Sequence, residues 1–356
     1  RGLTADNTYA NRNTSSFSVG ANLSLPIFQG LRAVRQLEYS RTSLRALLER
    51  TEAAKDNVSL NVMAQYLQVL YAREMLQVAK VRLDISQAEL ERREALLEAG
   101  KIPELDIYEA SAQVAQDELS VVNAEGESSL ALLDLAQMLN LPTTEDFDIL
   151  PLPDSRMPLL EPGEVFANAM RNNHEVRAGR IEEEAARKSV TLAKSGYIPT
   201  LSFSAGVGTN YYKTSGYEND SFGPQMRHNF AKQIGLSLSV PIFDAFGTRN
   251  SVRRAHARAA AAALQLDDTR NRLYKTINQA YTQAIAAHKK HEAAGRSVES
   301  TRAAFEAMQV KYDNGRANST EFAKAKSDYT TSLADEVQAK YESILRARIL
   351  AFYNKE

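Results

Sequence analysis

From Ser16 to Phe28 the chain alternates. Phe17, Val19, Ala21, Leu23, Leu25 and Ile27 fall on one side, and Ser16, Ser18, Gly20, Asn22 and Ser24 on the other. A period of two predicts a strand with one apolar face and one face of small polar groups. Pro26 has no N–H for a ladder and marks the predicted exit. Residues 1–14 read as a loop. From about Leu31 to Glu98 the period changes. Apolar residues recur at threes and fours (Val34, Leu37, Leu44, Leu47, Leu48, then Val58, Val62, Tyr66, Leu70), with no Pro and no Gly. A continuous helix of that length is roughly 100 Å long at 1.5 Å per residue. Such lengths belong to coiled coils and helical barrels. Gly100 stops the pattern, Pro103 follows, and a second helix runs from about Glu104 to Asn140. This predicts a helical hairpin with a tight tip at 99–103.

The stretch 141–163 holds Pro142, Pro151, Pro153, Pro158 and Pro162 and reads as irregular. A third helix is predicted from about Gly163 to Lys194. A strand at 199–212 places Leu201, Phe203, Ala205 and Val207 against Ser202, Ser204, Gly206 and Gly208. Residues 209–229 read as a loop. Ile234, Leu236, Leu238, Val240 and Ile242 predict a further strand. A long helix from Gly247 to Asp313, a tip at Gly315 and a last helix from about Ser319 to Tyr353 complete the pattern.

Two stretches of this pattern are one stretch repeated. Leu23–Phe28 reads Leu-Ser-Leu-Pro-Ile-Phe, and Leu238–Phe243 reads Leu-Ser-Val-Pro-Ile-Phe, 215 residues later. At the same offset Gly20 falls on Gly235, Tyr66 on Tyr281, Gln68 on Gln283, Gly100 on Gly315 and Ala110 on Ala325. The chain is therefore read as a duplicated strand–long helix–helix unit. Residues 1–140 hold the first repeat, 141–198 a connecting segment, and 199–356 the second repeat. The strand at 199–212 has no counterpart in the first repeat. By the same offset its mate is expected about sixteen residues before Arg1, outside this sequence.

Composition narrows the classes. The 356 residues, 24 % charged and 44 % apolar, allow one large domain or two smaller ones. A net charge of −1 gives no push toward nucleic acid or acidic lipid. No cysteine is present, so neither a disulfide framework nor a thiolate metal site is available. No run of about 18 apolar residues predicts a transmembrane helix, a test that a β-barrel escapes.

A sheet with one apolar face also suits a soluble sheet packed on a core. Two features favour a membrane barrel. The attached helices are too long to fold back over a small sheet, and the second face is small and uncharged. Three or four strands cannot close a barrel, and an open edge in lipid is forbidden, so membrane insertion requires oligomerisation. Tyr9, Tyr211, Tyr212, Tyr217 and Phe222, with Phe28 and Phe243 at the other end, are candidate interface girdles.

The ordered set of features resembles the TolC-like outer membrane efflux protein family across essentially the whole chain. The set comprises the Leu-Pro-Ile-Phe and Val-Pro-Ile-Phe strand ends, the long helices, the tips Ala99-Gly100-Lys101 and Asn314-Gly315-Arg316, and the Tyr197-Ile198-Pro199-Thr200-Leu201 opening. The resemblance implies a mainly α fold with a small β part. It implies a homotrimer whose twelve strands form one outer-membrane barrel continuous with a periplasmic α-helical barrel. It places 141–163 and the residues past Tyr353 in an equatorial region, and puts a first helix and strand and a C-terminal tail outside this sequence. The implied function is a passive exit duct of a tripartite efflux or type I secretion system in the outer membrane of a Gram-negative bacterium. Its partners would be a periplasmic adaptor and, through it, an inner-membrane pump, with no enzyme activity and no cofactor.

The resemblance also assigns roles to residues. The tips at 99–101 and 314–316 would meet the adaptor. Asp106 and Glu321, which coincide at the 215 offset, would ring the pore and favour cations. Acids in a first helical turn also simply suit the macrodipole. A second acid one turn later is Glu109 in the first repeat but Lys324 in the second, which puts a two-ring gate in doubt and leaves Lys324 free to pair with Glu321. Tyr312 matches a tyrosine that holds the tip closed in relatives, and ordinary inter-helix packing is its other reading. His288, His291 and Glu292 have metal-like spacing, but Lys289 and Lys290 beside them mark a solvated face. No phosphate loop or nucleophile elbow appears. The rival is a periplasmic coiled-coil scaffold with a soluble sheet and no pore.

Overall fold

The computed structural model describes residues 13–142, 147–152, 161–215 and 218–354, together with the backbone of Gly2–Leu3 and Tyr9–Ala10. Those two dipeptides pair antiparallel as β1 and β2 within the predicted N-terminal loop. The side chain of Tyr9, the residue Tyr217, and Pro153 and Pro158 of the irregular segment lie outside the described residues.

The chain folds into two compact units, Arg1–Ala46 with Gly179–Leu266, and Leu47–Ala178 with Asp267–Glu356. Each repeat contributes to both. The duplication is visible in the backbone. Helix α1 spans Arg32–Glu98 and helix α6 spans Gly247–Asp313, 67 residues each. Both of α1's bounds fall on those of α6 at the 215 offset. Just before each helix, two successive residues adopt positive φ: Gly30 and Leu31 at 61° each, and Ala245 and Phe246 at 52° and 63°. A left-handed pair turns the chain sharply from strand to helix. Its cost at Leu31, Ala245 and Phe246, none of them glycine, shows how strongly this corner is determined.

The first unit holds an antiparallel sheet in the order β3-β4-β5: Thr14–Gln29, Thr200–Thr214 and Ala231–Ser239. Its register keeps like with like. One face gathers Asn22, Gly206 and Gln233, then Ser24, Ser204 and Gly235. The other gathers Leu23, Ala205 and Ile234, then Leu25, Phe203 and Leu236. The glycines are there for approach. A Cβ on Gly206 would lie 2.5 Å from Asn22 Oδ1.

Both strand ends differ from the sequence reading. Pro26 does not end β3. It pairs with Ser202 while Phe28 pairs with Leu201, so Ile27 is one residue extra. This bulge on an edge strand absorbs the missing N–H and turns Phe28 onto the apolar face. In the second copy the strand stops at Ser239, opposite Thr200, the first residue of β4. Val240 and Ile242 are therefore not strand residues, because β4 offers them no partner.

The segment 209–229 is not a plain loop either. β4 continues to Thr214, and Phe222–His228 forms a short helix, α5. Beyond the end of its β5 pairing, β4 is satisfied by amides. Tyr212 N–H donates to Gln225 Oε1 at 3.1 Å and Gln225 Nε2 donates to Tyr212 O at 3.0 Å. Asn219 makes the same reciprocal pair with Thr214, at 3.0 and 2.8 Å, and Asn229 Nδ2 donates to Asn210 O. Three side chains thus stand in for a strand on alternate residues, which meets the backbone's need without a ladder.

The predicted third helix is two. Helix α3 (Pro162–Asn172) and helix α4 (His174–Ala193) break at Asn173, which is extended at φ −65° and ψ 121°. Its side chain accepts from the N–H groups of Glu175 and Val176 at 3.0 and 3.1 Å. This is an N-cap, and Asn followed by Glu was its signal. A 3₁₀ turn at Lys194–Tyr197 leads into β4. In the second unit, helix α2 (Leu105–Met138) and helix α7 (Ser319–Tyr353) complete the two hairpins. Val69, Ala72, Ala131 and Leu135 form a core that Phe147 and Ile149 of the irregular segment cover. Tyr66 and Arg73 of α1 donate to Leu150 O and Ile149 O and hold that segment down.

Gly30 carries two constraints. Its φ is positive, and a Cβ there would lie 2.8 Å from Ile198 Cβ. Gly30→Ala is expected to cost about 2 kcal/mol. The thermal midpoint of the purified protein, followed by circular dichroism, should fall accordingly.

Candidate functional site

The two hairpin tips are built alike. Gly100 has φ 68° and Gly315 φ 70°. Gly100 N–H donates to Leu97 O at 2.8 Å and Lys101 N–H to Leu96 O at 2.9 Å. Gly315 N–H donates to Tyr312 O at 3.0 Å and Arg316 N–H to Lys311 O at 2.8 Å. Both are Schellman endings. A Cβ on either glycine would meet nothing within 4 Å, so glycine is required by backbone conformation alone. Ala99, Lys101, Asn314 and Arg316 beside them are exposed.

Past the tips the repeats diverge. At the start of α7, Asn318 Oδ1 accepts from Glu321 N–H at 2.8 Å and Glu321 Oε2 accepts from Asn318 N–H at 3.0 Å. This capping box gives the Glu321 carboxylate a structural task. Lys324 is not its partner; both are exposed. At the start of α2 Glu104 makes no side-chain cap, and among the described residues the Asp106 carboxylate has no hydrogen-bond or ion-pair partner. Asp106 instead offers its carbonyl, which accepts from Arg93 Nη1 at 3.0 Å. The two acids matched by the repeat are thus one engaged and one free. His288 and His291 each lie 3.6 Å from a single carboxylate, Glu292 and Glu336. Among the described residues, no group of three or more metal-ligating side chains gathers.

Tyr312 sits where the hairpins meet, and it is buried. Its hydroxyl donates to Glu89 on α1. Its ring stacks on Phe322 at 4.7 Å and lies under the Arg92 guanidinium at 4.0 Å. Arg92 also donates to Tyr312 O at 2.7 Å and pairs with Asp313 at 3.1 Å. Arg93 holds Glu89 at 2.6 Å. Burial and then the Glu89 carboxylate push the Tyr312 phenol above its ordinary pKa. Tyr312 therefore packs between helices and also fastens α6 to α1. Glu89, Arg92 and Arg93 were not singled out in the sequence.

A second polar group lies farther from the tips. Asp117 on α2 is fully buried. It receives Lys326 Nζ from α7 at 2.8 Å, Arg82 Nε from α1 at 2.7 Å, Gln113 Nε2 at 3.0 Å and the Ser86 hydroxyl. Burial works to raise its pKa, but the hydrogen bonds from Lys326, Ser86 and Gln113 outweigh it and hold the carboxyl below its usual value. The signal was positional. Asp117 follows Ala110 and Val114 on the buried stripe of α2, and Lys326 follows Phe322 by one turn on α7. Between Asp117 and Tyr312 a cleft of about 330 Å³ is lined by Glu89, Arg93, Glu109, Gln113, Thr320 and Lys326. Glu109 thus borders this cleft, and its carboxylate is exposed.

Three substitutions test these parts. Gly100→Ala and Gly315→Ala are expected to cost about 1 kcal/mol each, because only the left-handed conformation is penalised. Asp117→Asn removes the depressed carboxyl. Its native pKa lies below the unfolded value near 3.9, so the wild-type advantage is full above about pH 4 and fades as the pH falls through the native value. The difference between the melting curves of the two proteins should shrink as the pH is lowered below about 4.

The outer membrane efflux protein family model matches residues 1–141 and 165–351. The outer membrane protein TolC of Vibrio cholerae is 25 % identical over 352 residues, which cover 94 % of this chain and 76 % of TolC. Protein CyaE of Bordetella pertussis is 27 % identical over 297 residues, 82 % of this chain and 60 % of CyaE. Among solved structures, the CmeC outer membrane channel of Campylobacter jejuni superposes with a TM-score of 0.76 at 15 % identity, covering 97 % of this chain and 78 % of CmeC. That likeness shows the fold.

Proposed function

This chain belongs to the outer membrane efflux protein family, outer membrane exit channels of the Gram-negative envelope, and from that premise we propose how it is assembled and gated. Three chains share one twelve-stranded barrel in the outer membrane, four strands from each, continuous with a helical barrel in the periplasm. Substrate passes from an inner-membrane pump, through a periplasmic adaptor seated on the tips at 99–101 and 314–316, and leaves by this duct. The pump supplies the energy, so the duct itself needs no cofactor.

The sheet carries this reading. β3 and β5 are its edge strands, and their outer rows of peptide groups await a partner. The apolar face is bare, with Leu23 59 % and Ile234 80 % exposed. The opposite face is Ser, Gly, Asn and Gln, as a water-filled lumen requires. Lipid against the first face, and neighbouring chains on both edges, would meet every one of these needs. The helices support the same conclusion. Val34, Leu37, Leu44, Leu47, Leu48 and Val58 carry the predicted apolar stripe of α1, yet all are about half or more exposed in one chain. A stripe of that length fits the flank of a second copy. Aromatics Tyr211, Phe222 and Phe17 cluster at one end of the sheet, with ring centroids 5.2 and 6.1 Å apart, and form the outer girdle.

At the tips, Tyr312 with Glu89 and Arg92 is the latch that keeps the hairpins together. Asp106 and Glu321 line the constriction, with Glu109 and Lys324 one turn farther on. Asp106, whose carboxylate is unengaged, is the stronger contributor to cation preference.

Detergent-extracted full-length protein should have the mass of a trimer by light scattering. A monodisperse monomer would contradict the assembly. Asp106→Asn combined with Glu321→Gln should lower the cation-to-anion permeability ratio obtained from the reversal potential in a salt gradient, with Asp106→Asn alone giving most of the change. An unaltered ratio would move the constriction elsewhere. Lys101→Glu with Arg316→Glu should abolish export in cells while the trimer still forms. Full export would count against the tips as the adaptor's seat.

A further inference from the structure

Counted from the tips, the first hairpin (α1–α2) and the second (α6–α7) are joined by polar links at three levels. The lowest is the Tyr312 group, with Glu89 and Arg92 on one hairpin and Tyr312 and Asp313 on the other. The next is Asp117 with Lys326, eleven residues beyond Gly315. The third is Glu74 on α1, which accepts from Lys340 Nζ at 2.7 Å and Tyr341 OH at 2.8 Å on α7.

These levels differ in what it costs to part them. In the lowest, the Arg92 and Asp313 side chains are 26 % and 50 % exposed. Water can replace the partners of that ion pair, which contributes about 1 kcal/mol or less, and the Tyr312–Glu89 bond beside it is shielded, but Glu89 keeps Arg93 when it parts. In the second, Asp117 is fully buried and the Lys326 side chain is 11 % exposed. Withdrawing Lys326 would strip a buried carboxylate of its cross-hairpin cation, and losing one partner of such a pair is costly. The cleft of about 330 Å³ lies between these two levels, so the packing is not continuous from the Tyr312–Phe322 cluster up to Asp117.

We propose that the Asp117–Lys326 pair is the fulcrum of tip opening. It holds α7 against the α1–α2 hairpin while the residues between it and Gly100 or Gly315 move apart. Lys326 is then a positioning residue, which sets where along the helices the duct begins to widen. The inference rests on the channel reading for its purpose, but its test is mechanical.

The chain has no cysteine, so spin labels can be placed at will. One pair at Lys101 and Arg316 reports on the tips. A second pair at Glu127 and Asp335, both exposed, lies farther from the tips than Asp117 and Lys326. Doubly labelled chains are diluted into unlabelled full-length trimers, so that only distances within one chain are read. Tyr312→Phe removes the lowest hydroxyl link. It should lengthen and broaden the 101–316 distance distribution and leave 127–335 unchanged. Lys326→Met cuts the second link and leaves Asp117 with Arg82, Ser86 and Gln113, so the helices should still form by circular dichroism. Added to Tyr312→Phe, or alone, it should broaden 127–335, and Lys326→Arg should restore it. The proposal is overturned if 127–335 moves with Tyr312→Phe alone, or stays put with Lys326→Met in both backgrounds. Failure of the channel reading would appear separately, as a chain that does not form a trimer.

Discussion

A backbone peptide group that leaves water must find a partner, and the three-stranded sheet is where that demand is greatest. Its middle strand is fully served, by β3 on one side and by β5 and then three amides on the other. Its outer strands are each served on one side only. A soluble protein would blunt such edges with charge or cover them. Here the edges border an apolar face on which Leu23, Leu25, Ile234, Leu236 and Leu238 are all more than half exposed. The proposed assembly with other copies, in lipid, would answer both facts together. It would also cover the exposed stripe on α1, as the apolar flank of a helix in a shared wall.

The duplication sets the rest. Two 67-residue helices, two left-handed corners and two Schellman tips recur at one offset. Identical backbone does not mean identical chemistry. Glu321 is held by its capping box, whereas among the described residues the Asp106 carboxylate has no partner, and Lys324 stands in the second copy where the first has Glu109.

Much of this was legible in the sequence, and the exceptions have physical reasons. The long helices were readable because nothing interrupts them but single tip glycines. The end of β3 was misread because a proline on an edge strand can sit in a bulge. Val240 and Ile242 alternate correctly, but a strand also needs a partner, and β4 begins only at Thr200. The break at Asn173 had a capping signal that an otherwise continuous helical pattern masked. The polar groups at Tyr312 and Asp117 were the least legible. Lys326 and Asp117 are 209 residues apart in sequence, and their pairing exists only once the two hairpins lie side by side. A charged residue on a buried stripe was the one clue, and it names no partner.

The most direct test of the account is the current carried by single trimers of the full-length protein in a planar bilayer. A duct closed at its tips by the Tyr312 latch should give small, cation-selective steps. Trimers that insert into the bilayer and carry no current, even after Tyr312→Phe, would contradict it and leave a scaffold without a pore.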